Sequence, residues 1–221
     1  MFNTDILSKK IGGKIARELN LDNDNKEVIS YGIFAIIQML YNILLVILFG
    51  IIFNVVIESL IVSFTISILR KSSGGAHSSS PGICLIVGTF IAVSIGLISK
   101  IGIDFKINIL IEIITFAWAY YIIYKLAPVD SPAKPIRTEK KKKRLKKSSI
   151  ITLSIYLIIV VLSIIANVYL KVDRIFVYSN CILGGVMWQV LSLTKAGHTI
   201  VKLIDTFLNM LAIGGKNNEK N

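Results

Sequence analysis

Apolar runs of about 20 residues recur along this 221-residue chain, separated by short polar stretches. A helix of that length spans the hydrocarbon core of a bilayer, and in lipid the backbone must satisfy its own hydrogen bonds. That feature predicts an all-α polytopic integral membrane protein. Composition agrees: 54% of residues are hydrophobic and 17% charged, with a mean hydropathy of +0.71. A soluble domain carries about 25% charge. Residues 1–221 form a single membrane domain, since no stretch is long enough for a separate globular unit.

The runs predict six transmembrane helices, at about 30–53, 55–69, 84–103, 107–127, 149–170 and 175–194. The second is short, and a re-entrant or strongly packed segment is an alternative there, as is a four-span arrangement. Before the first span, within residues 1–28, Phe2, Ile6, Leu7, Ile11, Ile15 and Leu19 recur about every four residues. Lys9, Lys10, Lys14 and Arg17 fill the other sides. This spacing predicts an amphipathic helix lying in the membrane interface, weakened at Gly12-Gly13. The segment does not read as a cleaved signal peptide, because it lacks a continuous apolar core. A further amphipathic stretch lies around Ile200–Leu211.

The net charge of +12 is distributed around the spans rather than over a soluble surface. With the N-terminus inside, 21 of the 25 Lys and Arg fall in inner segments. Lys100, Lys106, Lys171 and Arg174 are left outside. Positive loops stay cytoplasmic. Both termini, the stretch 70–84 and a basic loop at 128–148 are therefore expected in the cytoplasm of a multi-pass cell-membrane protein. The run from Lys134 to Lys147 is expected to set orientation and attract anionic lipid, and it could also attract an acidic peptide. A nucleic-acid partner is not expected, and neither is a metal or cofactor: no cluster of metal ligands and no nucleotide motif is visible.

Between the second and third spans lies Arg70-Lys-Ser-Ser-Gly-Gly-Ala-His77-Ser-Ser-Ser-Pro-Gly-Ile-Cys84. The chain has two Cys and two His, and one of each falls here. An imidazole that takes a thiol's proton creates the thiolate nucleophile of a cysteine peptidase. Continuous helix would hold His77 and Cys84 some 10 Å apart. Contact therefore requires a break, expected at Pro81-Gly82. Gly74-Gly75 permits positive φ or close backbone approach. At the start of the third span, Cys84 would feel the helix dipole, which favours a thiolate.

This stretch resembles the signature of the accessory gene regulator B (AgrB) family, membrane cysteine endopeptidases of Gram-positive quorum sensing. Ala127-Pro-Val-Asp-Ser-Pro-Ala-Lys-Pro-Ile136 also looks like the family's proline-containing loop. The resemblance implies Cys84 as nucleophile, His77 as base, and Arg70 and Gly75 as supporting positions. It further implies an AgrD-like propeptide as substrate, with an acidic C-terminal tail that is cut off, a Cys84 acyl-enzyme, (thio)lactone cyclisation and a homodimer. No third catalytic residue is identifiable from the sequence.

Other residues invite plainer readings. Cys181 is expected to be inert packing in the sixth span, and His198 an interfacial or capping residue. Arg70 alone would read as a topology anchor. For Glu58 and Glu112, inside predicted spans, pairing or interfacial placement is favoured over catalysis. A membrane transporter and a non-catalytic signalling scaffold are the alternatives to a peptidase. A transporter would keep its activity when Cys84 becomes Ser.

Overall fold

The computed structural model describes residues 4–76, 78, 80–130, 138–170 and 173–217, with Asp173 and 211–217 described by their backbone alone. Among them are eight helices and no strand: α1 (Thr4–Glu18), α2 (Asn23–Ile52), α3 (Val56–Ser73), α4 (Pro81–Ser99), α5 (Phe105–Leu126), α6 (Glu139–Leu170), α7 (Asp173–Leu191) and α8 (Lys195–Asn217). The chain is an all-α polytopic membrane protein.

Each of the six expected spans corresponds to a helix, α2 to α7. Four of them, α2, α4, α5 and α6, are long and apolar enough to cross a membrane. A fifth crossing arises if α7 and α8 are joined, although they meet at 91°. The short second segment, α3, carries Glu58, Arg70 and Lys71. It is nevertheless the centre of the bundle, packed against α2, α4, α6 and α7. Its charges sit near its two ends, and protein rather than lipid surrounds most of its length. Close packing is eased by small residues on α7. A Cβ on Gly185 would lie 2.9 Å from Thr65 Cβ, so glycine is what lets α7 approach α3.

Two apolar clusters fill the interior. Val46, Val62, Ala92 and Cys181 join α2, α3, α4 and α7. Leu69, Phe116, Ile123, Leu153, Val186 and Val190 join α3, α5, α6 and α7. Outer faces of α2 and α6 leave Leu40, Leu44, Leu48, Ile158 and Leu162 exposed, as a lipid-facing surface requires.

Helix ends follow local chemistry. Asp22 caps α2 by accepting from Asn25 N at 2.8 Å, which starts the helix seven residues before the expected span. Its 30 residues reach about 45 Å, so the polar first turns extend beyond the hydrocarbon. Asn54, at φ 55°, makes the tight turn into α3. Asp104 caps α5, accepting from Lys106 N and Ile107 N. The basic run was expected as loop through 148, yet α6 begins at Glu139. Thr138 Oγ1 accepts from Lys141 N, and Lys and Arg are good helix formers.

Helix α1 continues through Gly12-Gly13. Ser8, Gly12 and Ala16 form the strip buried against α2, and a Cβ on Gly12 would meet Ser30 Cα at 2.9 Å. The expected apolar face points the other way, with Ile6, Leu7, Ile11, Ile15 and Leu19 exposed. On α8, Ile200, Leu203, Phe207 and Met210 form a second exposed apolar stripe. Both are suited to lie in an interface rather than cross it.

Candidate active site

Cys84 occupies the first turn of α4 and is exposed. Ser80 caps the helix through its Oγ, which accepts from Ile83 N at 3.2 Å, and its carbonyl accepts from Cys84 N at 3.0 Å. Pro81 therefore opens a helix instead of breaking one. At the first helical position its missing N–H costs nothing and its fixed φ is already helical. Among the described residues, the non-helical chain before α4 comprises Gly74 to Ala76, Ser78 and Ser80.

That connecting loop is shaped by glycine. Gly74 has φ 72° and Gly75 φ 134°, values that a residue with a Cβ rarely adopts. A Cβ on Gly74 would run into Val129 O, and one on Gly75 would lie 2.6 Å from Ser192 Oγ. The path is then secured from three directions. Val129 N donates to Ser73 O at 2.9 Å, which brings the beginning of the proline-containing loop alongside. Ala76 N donates to Ser192 O at 3.0 Å, tying the loop to the end of α7. Arg70 donates through a guanidinium nitrogen to the Ala76 carbonyl.

Arg70, just beyond the apolar stretch 55–69, is partly buried. Desolvation holds its guanidinium below the ordinary value, and the charge of Cys84 acts in the opposite direction. Arg70 and Cys84 thus share one electrostatic environment. Gly75 lies in the same loop. His77 lies outside the described residues, but both its neighbours are anchored: Ala76 to Ser192, and Ser78, whose hydroxyl donates to the Asp205 carboxylate on α8.

Three of these anchors were not anticipated. Gln189, wholly buried on α7, donates from Nε2 to Ser73 Oγ at 3.0 Å and to Gly74 O at 2.7 Å. Its signal was available as the amide inside the apolar run 175–194. Ser192 and Asp205 had none, because their partners come from distant parts of the chain.

The remaining polar candidates sit on other helices: Cys181 on α7, His198 on α8, Glu58 on α3 and Glu112 on α5. Cys181 is completely buried among Val46, Val62 and Ala92. His198 is exposed in the first turn of α8, its backbone N donating to Thr194 O. Glu58 pairs with Lys100 at 3.4 Å, beside a cleft of about 360 Å³ that Arg174 and Tyr178 also line. Glu112 accepts from Asn108 Nδ2 at 3.0 Å inside the bundle. Glu58 thus has an ionic partner, whereas Glu112 is bonded at one oxygen and its Oε2 is buried without a hydrogen-bond partner among the described residues. Most of the proline-containing loop, residues 131–136, lies outside the described residues.

Residues 8–193 match the family described as accessory gene regulator B. An AgrB-like protein of Clostridium perfringens strain SM101 is 46% identical over 209 residues, covering 93% of this chain and 98% of its own length. AgrB-like protein 2 of Clostridium perfringens strain 13 is similar to the same extent. No solved structure matches the chain.

Proposed function

This chain belongs to the accessory gene regulator B family, which processes quorum-sensing peptides, and from that premise we propose a membrane cysteine endopeptidase. Its substrate is an AgrD-like propeptide, and its nucleophile is Cys84. The observation that carries the reading is the placement of Cys84: an exposed thiol on a helix's first turn, against a loop held in an otherwise unfavourable backbone conformation.

His77 takes the Sγ proton, and the thiolate attacks the carbonyl carbon of the peptide bond before the acidic tail. Arg70 contributes positive charge where the tetrahedral oxyanion develops. Collapse breaks the C–N bond, and His77 returns the proton to the leaving amine of the tail. The peptide stays on Cys84 as a thioester. An internal thiol or hydroxyl of the peptide then attacks the thioester carbonyl and forms a thiolactone or lactone. Cys84 leaves as thiolate and regains the proton lost by the attacking group. Exchange between thioesters is close to isoenergetic, so removal of the tail or of the ring drives the cycle.

In this reading the loop 70–84 and both termini face the cytoplasm, α1 and α8 lie in the anionic inner leaflet, and the protein works as a homodimer. The basic start of α6 draws in the acidic tail. A tail-release assay in lipid vesicles tests the reading, using a synthetic AgrD-like propeptide. Wild type should release the tail, and Cys84→Ala and His77→Ala should not. Release by Cys84→Ala at the wild-type rate would refute the nucleophile.

A further inference from the structure

Gln189 is a wholly buried amide whose hydrogen bonding is only half complete. Its Nε2 donates to Ser73 Oγ at 3.0 Å and to Gly74 O at 2.7 Å. Because a backbone carbonyl only accepts, the Gly74 contact fixes which end of the amide faces the loop. Its Oε1 is buried without a partner among the described residues. A residue kept only for packing would avoid that cost, and a Leu or Met would fill the same volume.

The side chain also meets the loop at its most constrained point. Gly75 presents the gap of a missing Cβ to both Ser192 Oγ and Gln189 Nε2, the latter 3.3 Å from where that atom would be. Ser192, three residues on and just past the end of α7, donates its hydroxyl to Gln189 O at 2.7 Å. Its carbonyl accepts from Ala76 N. Residues 73–76 thus rest on one short polar patch at the end of α7, an otherwise apolar helix.

We propose that Gln189 is a positioning residue for the peptidase site: it holds Ser73 and Gly74 so that the loop leading to His77 and Cys84 keeps its reactive path. This rests on the cysteine peptidase reading. The role is indirect, since Gln189 acts through the loop backbone rather than on the propeptide. Gln189→Met keeps the side chain's bulk and removes the orphaned acceptor, so it should leave the fold intact while loosening the loop. A part in holding the bundle together would do the reverse.

The test uses full-length protein in lipid vesicles and iodoacetamide as the probe, with labelling of each cysteine followed by peptide mass mapping across pH. Buried Cys181 serves as an internal monitor of the fold, and exposed Cys84 reports on the site. Gln189→Met should slow Cys84 labelling about thirtyfold, equivalent to two lost hydrogen bonds, and move its rate–pH profile towards that of His77→Ala. Gln189→Leu, which keeps an apolar bulk and can neither donate nor accept, should do the same. Cys181 should stay protected in both. Wild-type labelling and profile in both Gln189 variants, with His77→Ala slowed, would overturn the assignment and leave the peptidase reading standing. A His77→Ala profile identical to wild type would instead refute the thiol–imidazole pair itself. Exposure of Cys181 in both Gln189 variants would make Gln189 a structural residue of the bundle and overturn the assignment.

Discussion

Towards its N-terminal end α3 carries Glu58, whose carboxylate meets Lys100, the residue capping the C-terminus of α4, at 3.4 Å; towards its C-terminal end it carries Arg70, which turns to the carbonyl of Ala76. The first charge is balanced by an opposite one, beside the cleft that Arg174 and Tyr178 line. The second is used on backbone, and among the described residues Arg70 forms no ion pair. Its hydrogen bond ties the end of α3 to the loop. Around Arg70 the polar groups of Gln189, Ser192 and Val129 likewise contact main chain. A polar cluster that satisfies itself stabilises a bundle, whereas one directed at a neighbouring backbone builds a site. The two cysteines follow the same division: Cys181 lies sealed in the core shared with α2 and α4, and Cys84 stands exposed beside the shaped loop.

Arg70→Ala should break this contrast most severely. It removes a charge-assisted bond to Ala76 O and the positive charge near Cys84, and tail release should fall about a hundredfold. Arg70→Lys should recover only part of this, since an ammonium lacks the planar fork. Gly75→Ala comes next. At φ 134°, with Ser192 Oγ 2.6 Å from the new atom, strain of about 2 kcal/mol should lower the rate roughly thirtyfold while the protein still folds and inserts. Ser78→Ala removes the tie to Asp205, and about 1 kcal/mol corresponds to a fivefold slower release. At the opposite end Lys100→Met should change release by less than about twofold and stability by no more than about 1 kcal/mol. The Lys100 side chain is 40% exposed, so solvent screens its pairing. Equal losses from Lys100→Met and Arg70→Ala would erase the distinction between the two ends.

Much of this was legible in the residues. Continuous apolar runs located α2 to α7, because in lipid an apolar run has only the helix available to it. Cys84 and His77 stood out because thiols and imidazoles are scarce here, whereas Arg70 and Gly75 were marked only by the family resemblance. The break expected at Pro81-Gly82 was misplaced, because Pro81 opens α4. Without the Ser80 cap in view, a proline reads equally as a helix breaker and a helix opener. The start of α6 was misread because a run of lysines signals topology as strongly as it signals helix. Ser192 and Asp205 were invisible for another reason: a serine or aspartate on an amphipathic segment gains meaning only from what folds against it. Gln189 was legible in part, as an amide in an apolar span, though its loop contacts required the fold.

The central claim, that Cys84 carries the cleaved peptide, is tested most directly by intact-mass spectrometry of full-length protein in vesicles after brief exposure to a synthetic AgrD-like propeptide. The account predicts a wild-type species heavier by the propeptide minus its tail, sensitive to hydroxylamine, and absent from Cys84→Ala. Tail release without any such adduct, or an adduct that persists in Cys84→Ala, would contradict it.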